Sequence, residues 1–334
     1  MAESLRNIPP SFQHFGQSWS RPTARQWRLH ILLFVLTIAT TTLSGIMFAS
    51  PEPGADPPLR TPIDYVLYIP HAYLSTVAQI LRYAFEHPEL LYQGVAFSAS
   101  LLAILLSHEM GHYLACRHYR VDATLPYFIP APPLFIAGTF GAFIKIKSPI
   151  PTRRALFDIG LAGPFAGFVV AIPIAVIGLL TMAPPVPLLS GIYFNDPLLF
   201  KLLARLLRVR LDPNSPTNPY YMAAWIGLLV TSLNLMPVGQ LDGGHGTFAV
   251  FGQRAHKIIG RIAFVCVASL SVLGFWWYGS PSGFLYTVLL AVMMRVRHPE
   301  PPLMEQLGTK RTVTAVLTLI VFALCFLPFP IMIK

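Results

Sequence analysis

Residues 105–117, LLSHEMGHYLACR, place polar side chains inside an apolar run. His108, Glu109 and His112 interrupt a segment that otherwise has the composition of a membrane span. A charged group at the centre of a bilayer is disfavoured by about 2.5 kcal/mol or more, so ionisable residues in spans usually serve a function. The segment therefore predicts a buried functional site within a membrane protein.

The composition of the whole chain supports this interpretation. Of the 334 residues, 54% are hydrophobic and 11% are charged, whereas soluble domains carry about 25% charged residues. The net charge is +10, but the basic residues form short clusters between apolar runs, as in cytoplasmic membrane loops. We therefore expect contact with the lipid bilayer and no nucleic-acid partner. The three cysteines are widely separated, which indicates neither a disulfide framework nor a Cys-based metal site.

Apolar runs that approach the length of a spanning helix, about 20 residues, recur along the chain. The predicted spans are 29–49, 90–116, 156–182, 220–237, 258–278, 283–294 and 313–333. Segment 65–85 is apolar but contains His71, Gln79 and Arg82, so a spanning and an interfacial placement both stay open. With this segment outside the bilayer, most basic clusters lie on the N-terminal, cytoplasmic side, which favours seven spans.

Two further segments have the composition of non-spanning structure. Residues 125–147 contain four prolines, which exclude a spanning helix and favour an apolar hairpin or re-entrant loop. Residues 196–211 place apolar and basic side chains at helical spacing, as in an interfacial amphipathic helix. The predicted fold is an all-α polytopic membrane protein with about seven transmembrane helices, a re-entrant apolar β-hairpin and one interfacial amphipathic helix.

This pattern divides the chain into four predicted regions. They are a cytoplasmic segment at 1–28, an anchor span with an extracytoplasmic or interfacial segment at 29–89, a core at 90–251, and C-terminal transmembrane helices at 252–334.

His108 and His112 are four residues apart, so on a helix both imidazoles lie on one face and can bind one metal ion. Zinc suits imidazole ligands, and a catalytic zinc usually has three protein ligands and a position for water. Glu109 is then placed to take a proton from that water.

The third ligand must come from elsewhere in the chain. Cys116 follows on the same helix face but is too far from His108 for a compact site, while His118 and His245 are candidates from loops. Asp242 is the strongest candidate, because Pro237 ends the preceding span and glycines permit an irregular backbone around its carboxylate. With the two spans antiparallel, Asp242 lies at the depth of the histidines.

The combined motifs resemble the site-2 protease family of intramembrane zinc metalloproteases. HEMGH is followed by GTFGAFIKIKSP at 138–149, GLAGPFAGF at 160–168, and NLMPVGQLDGG at 234–244. The stretch GTFGAFIKIKSP is similar to the corresponding stretch in the plant and bacterial branch of the family, which includes the chloroplast EGY proteins. The resemblance covers residues 90–251.

The resemblance implies a role for each matched residue. His108, His112 and Asp242 would bind one zinc ion, and Glu109 would activate water. Asn234 would donate a hydrogen bond to the substrate or to the developing oxyanion, which suits a side-chain amide. The substrates would be single-span membrane proteins, such as an anti-sigma factor or a membrane-tethered regulator already trimmed by another protease.

The hairpin is predicted to supply an exposed strand edge for an unwound substrate, since pairing would satisfy the substrate backbone in lipid. The predicted strand is 140–146, with substrate contacts at Phe140, Gly141, Ala142, Phe143 and Ile144. We expect an integral, multi-pass protein of a bacterial cytoplasmic membrane, with a thylakoid membrane as the alternative and the site near the cytoplasmic side. Two other functions stay open: a membrane transporter, and a non-proteolytic relative of the family.

Overall fold

The computed structural model describes residues 22–49, 62–185, 192–212, 215–296 and 301–333, which form nine α-helices and four short β-strands. The helices are α1 (Ala24–Ala49), α2 (Pro62–Glu86), α3 (Glu89–His118), α4 (Arg153–Leu180), α5 (Leu198–Leu207), α6 (Pro219–Asn234), α7 (Asp242–Tyr278), α8 (Ser282–Met293) and α9 (Thr309–Cys325). The strands are β1 (Tyr127–Pro130), β2 (Thr139–Phe143), β3 (Ile192–Phe194) and β4 (Ile331–Ile333).

Four helices, α1, α3, α4 and α7, are long and apolar enough to cross a membrane. This confirms the prediction of a mainly helical membrane protein. Three other predicted spans coincide with α6, α8 and α9, which have 16, 12 and 17 residues. Segment 65–85 lies within α2, and the predicted amphipathic helix corresponds to α5. The count of seven spans stays a prediction.

The last predicted span, 313–333, is wrong beyond Cys325, where α9 ends. Pro328 and Pro330 follow, and a proline ring cannot continue a helix because it lacks the amide donor and clashes with the preceding turn. The chain instead becomes β4, which pairs antiparallel with β3.

Two antiparallel strands lie in the proline-rich segment. Strands β1 and β2 pair with Tyr127 opposite Phe143. The predicted strand, 140–146, is longer than β2, which begins at Thr139 and ends at Phe143. Beyond it, Ile146 forms a separate bridge with Ala123, so the chain pairs with a new partner. A re-entrant placement of this pair in the bilayer stays a prediction.

Helix α3 packs against α1, α4 and α6, and its His108, Glu109 and His112 are buried among them. Its Gly94 lies against the end of α1, where a side chain on the glycine would collide with the Thr42 carbonyl. Near the start of α1, the His30 ring contacts the Pro126 carbonyl, just beyond the end of α3 (Nδ1–O 3.0 Å). The two helices are therefore antiparallel. Large buried side chains of α3, α4 and α6 form the core between them: Phe97, Leu101, Phe157 and Trp225.

Candidate metal centre and active site

The second half of α3 positions two histidines side by side. His108 and His112 are buried, and their Nε2 atoms are 3.1 Å apart. This separation follows from the helix, because residues four apart are neighbours on one face. The predicted pairing of the two imidazoles is thus present.

The loop between α6 and α7 brings Asp242 to the same point. Asp242 is in the first turn of α7, and its Oδ2 atom is 3.2 Å from Nε2 of His108 and 3.3 Å from Nε2 of His112. Gly239 adopts a left-handed conformation (φ 55°) within the preceding turn, a conformation that glycine adopts without strain. The chain reversal therefore places one carboxylate oxygen against two imidazole nitrogens.

The spacing of these three donor atoms fits a tetrahedral metal ion. Ligands bonded to zinc at about 2.0–2.1 Å in tetrahedral geometry lie about 3.3–3.4 Å from one another. The separations among His108, His112 and Asp242 are 3.1–3.3 Å. Two neutral imidazoles and a carboxylate are also a donor set that zinc favours. The geometry and the chemistry of the donors both fit one zinc ion.

Helix α4 orients one of the two rings. The Nδ1 atom of His112 is 2.7 Å from the Ile159 carbonyl, to which it donates a hydrogen bond. The proton on Nδ1 leaves the lone pair of Nε2 directed towards Asp242 and His108. A carbonyl that holds the second nitrogen of a ligating histidine is a recurrent feature of metal sites. No sequence pattern indicated Ile159, since its contribution comes from the backbone.

Small residues of α4 make room for the rings. A Cβ atom on Gly163 would overlap the His112 ring, and one on Gly167 would press against Cβ of His108. Gly160 lies in the same way against His245. Gly163 and Gly167 therefore let α4 pack directly against two of the candidate metal ligands.

Glu109 and Asn234 both lie beside the cluster and line the same cavity. Glu109 is buried beside His108, and it lines the same cavity as Ile144. Asn234 is the last residue of α6, and its Nδ2 atom is 3.3 Å from Nε2 of His108. Both predicted residues therefore lie beside the three candidate ligands.

A cavity of about 280 Å³ opens onto the cluster. Four residues of the predicted substrate strand, Ala142, Phe143, Ile144 and Ile146, line it, while Phe140 and Gly141 are not part of the lining. The other lining residues come from α3, the segment before α4, α4, the end of α6, the α6–α7 loop and α7, and they include Ile150, Leu156, Gln240 and His245. The predicted substrate strand, Glu109 and the three candidate ligands therefore border one cavity.

Two of the remaining candidate ligands, Cys116 and His118, lie elsewhere. His245, predicted in a loop, is in α7 and lines the cavity but is outside the group of three candidate ligands. Cys116 is buried in an apolar cluster with Val121 and Ala155. His118 is exposed at the end of α3, where its ring contacts Tyr119. Neither residue belongs to the group formed by His108, His112 and Asp242.

Residues 96–274 match the sequence profile of Peptidase family M50. "Probable zinc metalloprotease EGY1, chloroplastic" of Arabidopsis thaliana is 31% identical over 319 residues, which cover 92% of this chain and 54% of the relative. EGY1 of Oryza sativa subsp. japonica is 28% identical over 317 residues, covering 92% and 51%. "Probable zinc metalloprotease EGY2, chloroplastic" of Arabidopsis thaliana is 30% identical over 258 residues, covering 74% and 44%. The chain spans about half the length of the curated relatives it matches.

Proposed function

Because this chain belongs to peptidase family M50, we propose that it is a zinc-dependent endopeptidase that hydrolyses peptide bonds within or near transmembrane segments of other proteins. The observation that carries this proposal is the convergence of His108, His112 and Asp242 with separations suited to a tetrahedral ion. No feature of the described residues favours the transport alternative.

One zinc ion would be held by Nε2 of His108, Nε2 of His112 and a carboxylate oxygen of Asp242. When bound at such a site, zinc polarises a carbonyl group and lowers the pKa of a coordinated water to about 7. The three ligands come from α3 and α7, so the site requires both helices to be packed in register against α4.

Glu109 is the proposed general base. Its carboxylate would take a proton from the attacking water and then pass a proton to the leaving amine. Its place next to His108 directs it into the cavity, which Ala142, Phe143 and Ile144 of the predicted substrate strand also line. Enclosure by the surrounding helices would limit access of bulk water to this carboxylate.

Asn234 is the proposed donor to the oxygen of the scissile carbonyl. It lies 3.3 Å from His108 and lines the same cavity as Glu109. An amide donor on this side of the cluster would stabilise the negative charge that develops on that oxygen during attack.

Strand β2 is the proposed docking edge for the substrate. Among the described residues, β2 pairs with β1 alone, so its other edge has no strand partner there. Ala142, Phe143 and Ile144 bring the end of this strand to the cavity. An extended substrate would satisfy its backbone hydrogen bonds by pairing there, as in strand addition to a sheet edge. The docking residues would then be 142–144, with Phe140 and Gly141 further along the same strand.

The pairing of distant segments supports a topology with seven spans. Helices α1 and α3 are antiparallel neighbours, so the chain between them begins and ends on one side and α2 need not cross. Strands β3 and β4 pair, so the end of α4 and the end of α9 lie on the same side. The chain between these two ends must therefore cross the membrane an even number of times, and four crossings, by α6, α7, α8 and α9, satisfy this condition. With the N-terminus in the cytoplasm, the metal cluster lies near the cytoplasmic face of a bacterial or thylakoid membrane.

Cleavage of a model transmembrane segment tests the proposal. Purified chain in lipid nanodiscs is incubated with a single-span substrate, and the products are sequenced by mass spectrometry. We expect cleavage within or beside the span by the unsubstituted protein, and a loss of about 100-fold or more in Glu109→Gln, as is typical when a general base is removed. The zinc content of the variant should be unchanged. A variant that loses zinc, or that cleaves at a near-normal rate, contradicts the role assigned to Glu109.

A further inference from the structure

Residues 303–311, which we call the C-terminal strap, run across the start of α4. They follow the segment that matches the peptidase family, which ends at residue 274. The Leu303 carbonyl accepts a hydrogen bond from the backbone N–H of Arg153 at 2.9 Å. The backbone N–H of Arg154 donates to Oε1 of Glu305 at 3.2 Å. The first N–H groups of a helix have no partner within it, and the strap supplies partners for two of them.

The strap ends at an arginine that binds Asp158 of α4 with both arms of its guanidinium. Nε of Arg311 donates to Oδ1 of Asp158 at 2.9 Å, and Nη2 donates to Oδ2 at 2.6 Å. Nη2 also donates to the Tyr119 hydroxyl at 2.9 Å, and that hydroxyl donates to Asp158. Two parallel bonds fix the carboxylate in orientation as well as position, which a lysine would not do.

Asp158 immediately precedes the residue that orients a metal ligand. The Ile159 carbonyl accepts the hydrogen bond from Nδ1 of His112 at 2.7 Å. Tyr119 caps the helix that carries His112, so the same three-residue cluster joins the end of α3, the first turns of α4 and the start of α9. The position of the carbonyl therefore depends on how this part of α4 is held.

We propose that Arg311 is a positioning residue for the metal ligand His112: by holding Asp158 and Tyr119, the strap fixes the Ile159 carbonyl at the distance that orients the imidazole. This inference rests on the proposed function, since it assumes that His112 binds zinc. It assigns a task in the metal site to a residue that lies 153 positions from its partner in the chain.

Zinc affinity tests the inference without recourse to cleavage. The variants are Arg311→Leu, which removes the guanidinium, and Arg311→Lys, which keeps the charge but not the paired bonds. Val321→Ala is the control, because Val321 is buried on the same helix and does not contact Asp158. The dissociation constant is measured by competition with a chelator in detergent, and the ligand field by visible absorption of the cobalt-substituted protein.

We expect Arg311→Leu to weaken zinc binding about 10-fold or more, the effect typical of residues that support a ligand, and to change the cobalt spectrum. Arg311→Lys should fall between this variant and the unsubstituted protein. Val321→Ala should unfold at a lower temperature with its zinc affinity unchanged. If Arg311→Leu does not fold, Arg311→Lys carries the test.

The outcomes separate the two proposals. Arg311 variants that bind zinc as tightly as the unsubstituted protein, with the same cobalt spectrum, overturn the inference and leave the proposed function intact. An unsubstituted protein that binds no zinc overturns both.

Discussion

Gly163 of α4 faces the imidazole of His112 so closely that a single added carbon atom would overlap the ring. The contact couples the packing of two helices to the position of a proposed metal ligand. A glycine at this point is thus required by the site, although alanine would be the better helix former by about 1 kcal/mol.

Gly163→Ala should therefore weaken zinc binding about 10-fold or more, by displacing the ring, and reduce cleavage with it. Gly246→Ala is the matched control, because a Cβ there would meet the flexible end of Leu161. Zinc content after dialysis and cleavage rate measure both effects. Full zinc occupancy in Gly163→Ala would show that the ring is not confined in this way.

Asn234→Ala should lower kcat by about 100- to 1,000-fold, because it removes a donor to the developing oxyanion. The amide is not one of the three donor atoms around the metal position, so zinc content should stay the same. Steady-state kinetics with a model transmembrane substrate separates kcat from KM. A change confined to KM would indicate that Asn234 binds the substrate without stabilising the transition state.

The strand edge predicts where a bound substrate lies. In the Glu109→Gln background, a cysteine at Ala142 should form a disulfide with a cysteine near the scissile bond of a trapped substrate. A cysteine at Ile129 of β1 is the control, since that strand lies on the other side of β2. Crosslinking is read on non-reducing gels. Equal crosslinking at both positions would place the substrate elsewhere.

The topology predicts which loops a membrane-impermeant thiol reagent reaches. In right-side-out spheroplasts of a bacterial expression host, with the natural cysteines replaced, a cysteine at Thr217 should be labelled and one at Arg254 protected. Thr217 precedes α6, and Arg254 lies in the first part of α7. In the seven-span arrangement they are on opposite sides of the membrane, separated by the span α6. Labelling of both positions would exclude that arrangement.

Much of the site was predictable because its signals are local. The two histidines and Glu109 are close together on one helix, and Asp242 follows a proline that ends a span and stands among three glycines. The contributions of Ile159 and Arg311 were not predictable. One comes from a backbone carbonyl, and the other from a contact between residues 153 positions apart, which only the packing of helices brings together.

The errors of prediction also have physical causes. Residues 313–333 are apolar throughout, so hydropathy alone extended the helix past Cys325, although two prolines and a strand partner end it earlier. The predicted strand likewise extended to residue 146, whereas regular pairing with β1 ends at Phe143 and Ile146 forms an isolated bridge with Ala123. In both cases the end of the element depends on how the chain pairs in three dimensions, which hydropathy does not report.

Metal content measured directly on the purified protein tests the zinc site most closely. We expect one zinc per chain in the unsubstituted protein and in His118→Ala, since His118 lies on the same helix as His108 but outside the cluster. His108→Ala should lose the metal, because two donors remain where a stable site needs three or more. A metal-free unsubstituted protein, or a His108→Ala variant that keeps its zinc, would contradict the assignment of His108, His112 and Asp242 as the ligands.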